Sequence, residues 1–171
     1  RKKKVIVCIL AVLVLLTAGF LGYRVYANYK EEQFFKSVKL REIKVKPMTL
    51  EHKEKDVFTE AYQKESQNQI DKQNTIQKPM VIQNAYGTNT TALYYYGKTD
   101  RASYAVCTVE APDAGAAVYK HTLKGKKKYS TTHEYQIIGL SAGTRNKVTM
   151  EFFNEDGRAV EKQYFYVDIP E

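Results

Sequence analysis

Residues 137–157 read IIGLSAGTRNKVTMEFFNEDG, and this stretch decides the fold. Across residues 147–153 the apolar side chains Val148, Met150 and Phe152 recur at every second position. That period puts them on one face of a β-strand whose other face meets water. The strand ends in Asn154-Glu155-Asp156-Gly157, a turn signal. It is entered through a second turn, Gly139-Leu140-Ser141-Ala142-Gly143.

Working outward, the same grammar holds from Pro79 to the end of the sequence. Turn signals recur every ten or so residues, between segments rich in Val, Ile, Thr, Tyr and Phe. The segments 79–83, 91–96, 101–110, 118–123, 129–138, 147–153 and 159–169 are expected strands. Asn84-Ala85-Tyr86-Gly87 and Pro112-Asp113-Ala114-Gly115 are expected turns, and 124–128 a basic hairpin tip carrying Gly125. Such a run of short strands indicates a seven-stranded antiparallel β-sandwich of the immunoglobulin or fibronectin III kind over residues 79–171. The 138–144 piece looks like the corner of fibronectin-type domains, with Leu140 plugging the base of the sandwich. Asn146 stands where a tyrosine usually follows that corner.

The N-terminal part follows other rules. Residues 5–23, VIVCILAVLVLLTAGFLGY, carry no charge and follow Arg1, Lys2, Lys3 and Lys4. At about 1.5 Å per residue such a helix crosses a ~30 Å hydrocarbon layer. Flanking basic residues stay on the cytoplasmic side. The reading is a cytoplasmic cap (1–4), a transmembrane signal anchor (5–23), a juxtamembrane linker and polar helix (24–78), and the sandwich outside. A cleaved secretory signal is the alternative, but the apolar run is long and lacks an A-x-A site. Thr49 offers a helix N-cap, and residues 50–77 hold no glycine or proline, so a helical stalk is expected there, with Val57, Phe58, Ala61 and Tyr62 as its docking face. Residues 36–45 suit a short strand or a tether.

The net charge of +8 invites a nucleic-acid reading, and its distribution argues against one. Residues 1–55 hold thirteen Lys/Arg and five Asp/Glu, whereas 56–171 hold fourteen of each. The excess lies at the anchor, where it can sit on anionic headgroups. Cys8 falls in the expected span, so it cannot reach Cys107, which alternates with Ala105 and Val109 as a small core residue. The sequence holds no G-x-G-x-x-G, Walker loop, C-x-x-C or H-E-x-x-H. His52, His121 and His133 have no partner predictable from spacing and read as structural residues. Asn89-Thr90-Thr91 fits a glycosylation acceptor, a pattern common by chance. No catalytic, cofactor-binding or metal residue is assigned, and no cofactor is expected.

Three pieces, KPMVIQNAYGTNTTALYYYGKTD (78–100), Thr132-His133-Glu134-Tyr135 and the 137–157 stretch, together resemble the N-terminal domain of bacterial aryl-sulfate sulfotransferases. Ala85 replaces the proline of that family's Asn-Pro-Tyr-Gly turn, while Thr88, Thr90, Thr91, Leu93 and Tyr94 match its threonine-rich step into an aromatic strand. Asn146, Val148, Thr149, Asp156 and Gly157 match its N-x-V-T strand and D-G turn. The resemblance implies a membrane-anchored, PAPS-independent enzyme that moves a sulfuryl group between phenols. It further implies that the catalytic histidine sits in a β-propeller after this domain, so neither His121 nor His133 inherits that role. With Arg1 first and Glu171 last, the chain reads as a fragment of such a protein. The expected partners are the membrane, through residues 5–23, and the protein's own propeller; the reading leaves room for a homodimer. The competing reading is a single-pass surface protein with an Ig-like protein- or glycan-binding module. Its sign would be an exposed aromatic patch drawn from tyrosines such as Tyr94, Tyr95 and Tyr96.

Overall fold

One uninterrupted helix, α1 (Lys2–Ser37), carries the apolar stretch. The computed structural model describes residues 2–49, 74–123, 125 and 128–171, with side chains from Leu10 onward. At its 36 residues α1 is about 54 Å long, more than a ~30 Å hydrocarbon layer needs. Leu13, Leu15, Leu16, Phe20 and Leu21 are all more than half exposed, so the helix presents apolar side chains around its girth. It is the one described helix long and apolar enough to cross a membrane. The helix does not stop at Tyr23, where the sequence suggested a linker. Beyond the apolar run it turns amphiphilic: Arg24 lies over Phe20, Lys30 over Tyr26, and Lys36 pairs with Glu32 one turn back. Ser37 closes it by donating its hydroxyl to the Phe34 carbonyl at 2.6 Å.

Residues 39–171 form a second compact unit. Its strands are β1 (Leu40–Glu42), β2 (Met48–Thr49), β3 (Met80–Gln83), β4 (Leu93–Glu110), β5 (Tyr119–Leu123), β6 (Ser130–Ile137), β7 (Thr144–Phe153) and β8 (Ala159–Ile169). They make one eight-stranded sheet in the order β1-β8-β7-β4-β3-β2, with β5 and β6 also on β4. The long β4 holds the arrangement together. Its first half lies between β3 and β6, with Tyr96 opposite Met80 and Tyr95 opposite Tyr135. Its second half lies between β7 and β5, with Cys107 opposite both Met150 and His121. The register with β6 jumps between Lys98 and Ser103, so β4 passes from one ladder to the other there. The sheet curls at that point and the ladders face each other: Gln163 of β8 donates to the Tyr95 hydroxyl at 3.1 Å, and His133 meets Phe152 edge-on.

Four expectations need correction. The second and third strands are one, because Gly97 marks no turn. A Cβ there would lie 3.2 Å from Ile76, so this glycine admits a close approach of backbone instead. The sheet is not wholly antiparallel, since β1 runs parallel to β8 and β2 parallel to β3. The strands flanking 124–128 do not pair with each other; both run antiparallel to β4, so the segment is no hairpin tip. Finally, the tyrosine triplet makes no exposed patch. Tyr95 enters the core, and Tyr96 packs with Met80, Ile82 and Ala85 on the opposite face.

In the lead-in, the short strand that 36–45 suited is β1, and it joins the sheet. β1 is tied along β8 by Arg41–Glu161 at 2.6 Å and by Ile43 N–H to the Tyr164 carbonyl, with Ile43 buried. Thr49 of β2 pairs with Gln83, and the helix it was expected to cap lies outside the described residues. Residues 74–77, the expected helix end, form a bridge and turn: Thr75 pairs parallel with Lys98, and Ile76 is buried. The rest of that expected helix, 50–73, lies outside the described residues with its docking face and His52.

The core follows the alternation read from sequence. Val148, Met150 and Phe152 of β7 are fully buried, as are Ala105 and Cys107 of β4, and Phe165 of β8 joins them. Cys107 is the small core residue the pattern implied, and burial pushes its thiol up to about 12, so it stays protonated and inert.

Candidate functional site

Chemistry-bearing side chains gather at three places in the sheet, and the strand alternation decides which of them water can reach. β6 alternates strictly, turning His133, Tyr135 and Ile137 inward and Glu134 and Gln136 outward. His133 Nε2 lies 3.0 Å from Thr99 Oγ1 and 3.2 Å from Ser103 Oγ, and Nδ1 lies 3.0 Å from the Tyr135 hydroxyl. Thr99 already donates its proton to the Arg101 carbonyl at 2.7 Å. It can therefore only accept from the ring, which assigns the proton to Nε2 and leaves Nδ1 to accept from Tyr135. The Ser103–His133 proximity is thus no nucleophile–base pair: the nitrogen facing Ser103 holds a proton, and the ring is fully buried. Burial also lowers the His133 pKa to about 4, keeping it neutral. What this cluster does is pin residues 99–103, where β4 changes ladders.

His121 of β5 lies apart from that cluster, tilted against Tyr119 with centroids 4.7 Å apart. Its Nδ1 is enclosed without a hydrogen-bond partner among the described residues, and burial lowers its pKa. No three His, Cys, Asp or Glu side chains converge as a metal site among the described residues.

The second place is the corner before β7. Leu140 is buried as the plug. The Asn146 amide, fully buried, accepts from Ser141 N–H at 2.8 Å and donates to the Ser141 and Thr144 carbonyls at 2.9 and 3.1 Å. An asparagine thus fastens the turn back to the strand, as a tyrosine hydroxyl does in immunoglobulin-type sandwiches. Sequence reading registered the missing tyrosine without seeing that a side-chain amide at 146 is both donor and acceptor.

The third is the loop between β3 and β4, the Asn-Ala-Tyr-Gly segment. Asn84 takes a left-handed conformation, φ 50, which asparagine tolerates better than most residues. Its N–H bonds the Ala92 carbonyl, its own carbonyl receives Gly87 N–H, and its Oδ1 receives Asn89 N–H. Asn89 Oδ1 receives both the N–H and the hydroxyl of Thr91, so the acceptor-like tripeptide serves as a turn. The loop lifts Tyr86 into solvent, edge-on to Tyr94, whose hydroxyl donates to Glu134 at 3.0 Å. Asn84, Tyr86, Asn89, Tyr94 and Gln136 are among the residues that line a shallow depression here.

The sequence model of the arylsulfotransferase Ig-like domain matches residues 80–167, from the first residue of β3 almost to the end of β8. The chain belongs to that family. Comparison with curated proteins gives no match. The arylsulfotransferase Ig-like domain is thus the seat of all three clusters: the Asn-Ala-Tyr-Gly loop, the His133 pin and the Asn146 corner fall inside the matched segment. β1, β2 and the Ile76 contact precede it, so the folded unit is larger than the matched segment.

Proposed function

We propose that this chain is the membrane anchor and accessory Ig-like domain of a cell-surface aryl-sulfate sulfotransferase, which moves a sulfuryl group from one phenolic ester to another phenol without PAPS. The observation that carries the reading is the arylsulfotransferase match over residues 80–167. The apolar α1 supports anchoring at a cell membrane, and Lys2, Lys3 and Lys4 favour a cytoplasmic N-terminus with the Ig-like domain outside. The Ser103–His133 contact is sealed and holds its proton the wrong way for nucleophilic attack. In this reading, as the family resemblance implies, catalysis falls to a β-propeller of the parent protein, and the Ig-like domain supports it.

The test compares this chain with the complete protein, using 4-nitrophenyl sulfate as donor and a phenol as acceptor. Turnover by the complete protein and none by residues 1–171 is the expected result. Turnover by this chain alone, or a reading frame that closes after Glu171, would overturn it.

A further inference from the structure

We propose that the loop spanning residues 84–92, with the outward face of β6, forms a surface subsite for a neutral saccharide. The motivating observation is Tyr86, 59% exposed on a loop that is otherwise bonded to itself. Besides the contacts already described, Gln83 Nε2 donates to the Thr90 carbonyl at 3.2 Å and Ala92 N–H reaches the Asn89 carbonyl at 3.3 Å. A ring on so constrained a support loses little freedom when a ligand lies on it. Loops of this kind, set by a rigid sheet, are where binding residues concentrate.

The chemistry around the ring narrows the ligand class. Tyr86 stands perpendicular to Tyr94, 6.5 Å between centroids, and both neighbour outward-facing polar groups of β6. Gln136 lies opposite Tyr94 in register, and Glu134 opposite Tyr96. Partial burial, and after it the Glu134 carboxylate, raises the Tyr86 pKa, and Glu134 is held near by the Tyr94 hydroxyl. No charged side chain lines the depression, so a sulfate, phosphate or carboxylate ligand would find no counter-charge there. The enclosed room is about 10 Å³, enough for one water-sized group, so a ligand lies across Tyr86 and seats a single hydroxyl. An apolar C–H face for the Tyr86 ring, a hydroxyl for the Gln136 amide, and no charged lining to attract an ion are together the description of a pyranose.

The inference does not depend on the sulfotransferase reading, and its test uses another readout. The full chain in nanodiscs would be examined by saturation-transfer difference NMR with chitotetraose, cellotetraose and maltotetraose. Transfer to the ring C–H protons of at least one of them is expected, with millimolar affinity. Tyr86→Ala should weaken that binding roughly five- to tenfold, and Gln136→Ala roughly threefold. Tyr86→Phe, which keeps the ring, should retain it, and Tyr166→Ala, on β8, should leave it unchanged. A sulfated chitotetraose should bind more weakly than the neutral sugar. Absence of transfer from all three sugars overturns the proposal, as does a Tyr86→Ala chain that folds normally and binds undiminished.

Discussion

Three short hydrogen bonds converge on the Asn146 amide, and a leucine cannot replace them although it fits the volume. Removing the side chain strands the N–H and C=O of Ser141 in a closed corner. Asn146→Ala should therefore cost about 2–3 kcal/mol, more than an exposed asparagine would; urea unfolding of the wild type and variant measures it. His133 makes a different prediction, because its effect depends on pH. Its folded pKa is lowered from 6.5 to about 4, so the unfolded chain binds the extra proton between those values. The stabilisation is complete above pH 6.5 and is lost as pH falls towards 4, by at most about 3 kcal/mol. Melting temperatures taken at pH 7, 5.5 and 4.5 should decline over that interval. A His133→Gln chain should be less stable at pH 7 and show a flatter decline. An equal slope in the variant would mean that another group governs the acid response.

At the scale of elements, β4 joins the two ladders, and Gly97 allows Ile76 to lie against it. Gly97→Val places branched atoms where Ile76 backbone already sits, so the 74–78 segment must lift. Hydrogen exchange at the Ile76 and Lys98 amides, which bond across this contact, should accelerate about tenfold or more while the Val148 and Met150 amides change less. The same glycine shows why part of the fold was legible and part was not. Alternation is local, so Val148, Met150 and Phe152 announced their burial, and Ala105, Cys107 and Val109 did likewise. A glycine, however, serves turns and close approaches alike, and only the position of Ile76, more than twenty residues upstream, separates the two. Parallel pairing of β1 and β2 is equally invisible, because a strand as short as Leu40-Arg41-Glu42 does not say which partner it takes or in which direction until β8 is beside it. The His133 cluster escaped for the same reason: Thr99, Ser103 and His133 meet only after the strand bends. The Tyr86 loop was read as a turn, and its Asn-Ala-Tyr-Gly text was a signal that a defined loop stood there.

For the whole molecule, two independent units predict that α1 can be removed without unfolding the rest. A chain of residues 39–171 should keep the exchange protection of β7 and lose membrane association, whereas the intact chain should resist alkaline carbonate extraction; unfolding of the truncated chain would show that the units are not separable. The connection between them has a mechanical side. β1 follows α1 by two residues, Val38 and Lys39, and runs parallel to the final strand β8. A tug entering at Lys39 and leaving at Glu171 pulls the two strands along their length in opposite directions. Their backbone bonds and the Arg41–Glu161 bridge are then loaded in shear and share the force, instead of parting one at a time like a zip. A domain pulled through this strand resists being peeled from its own lead-in.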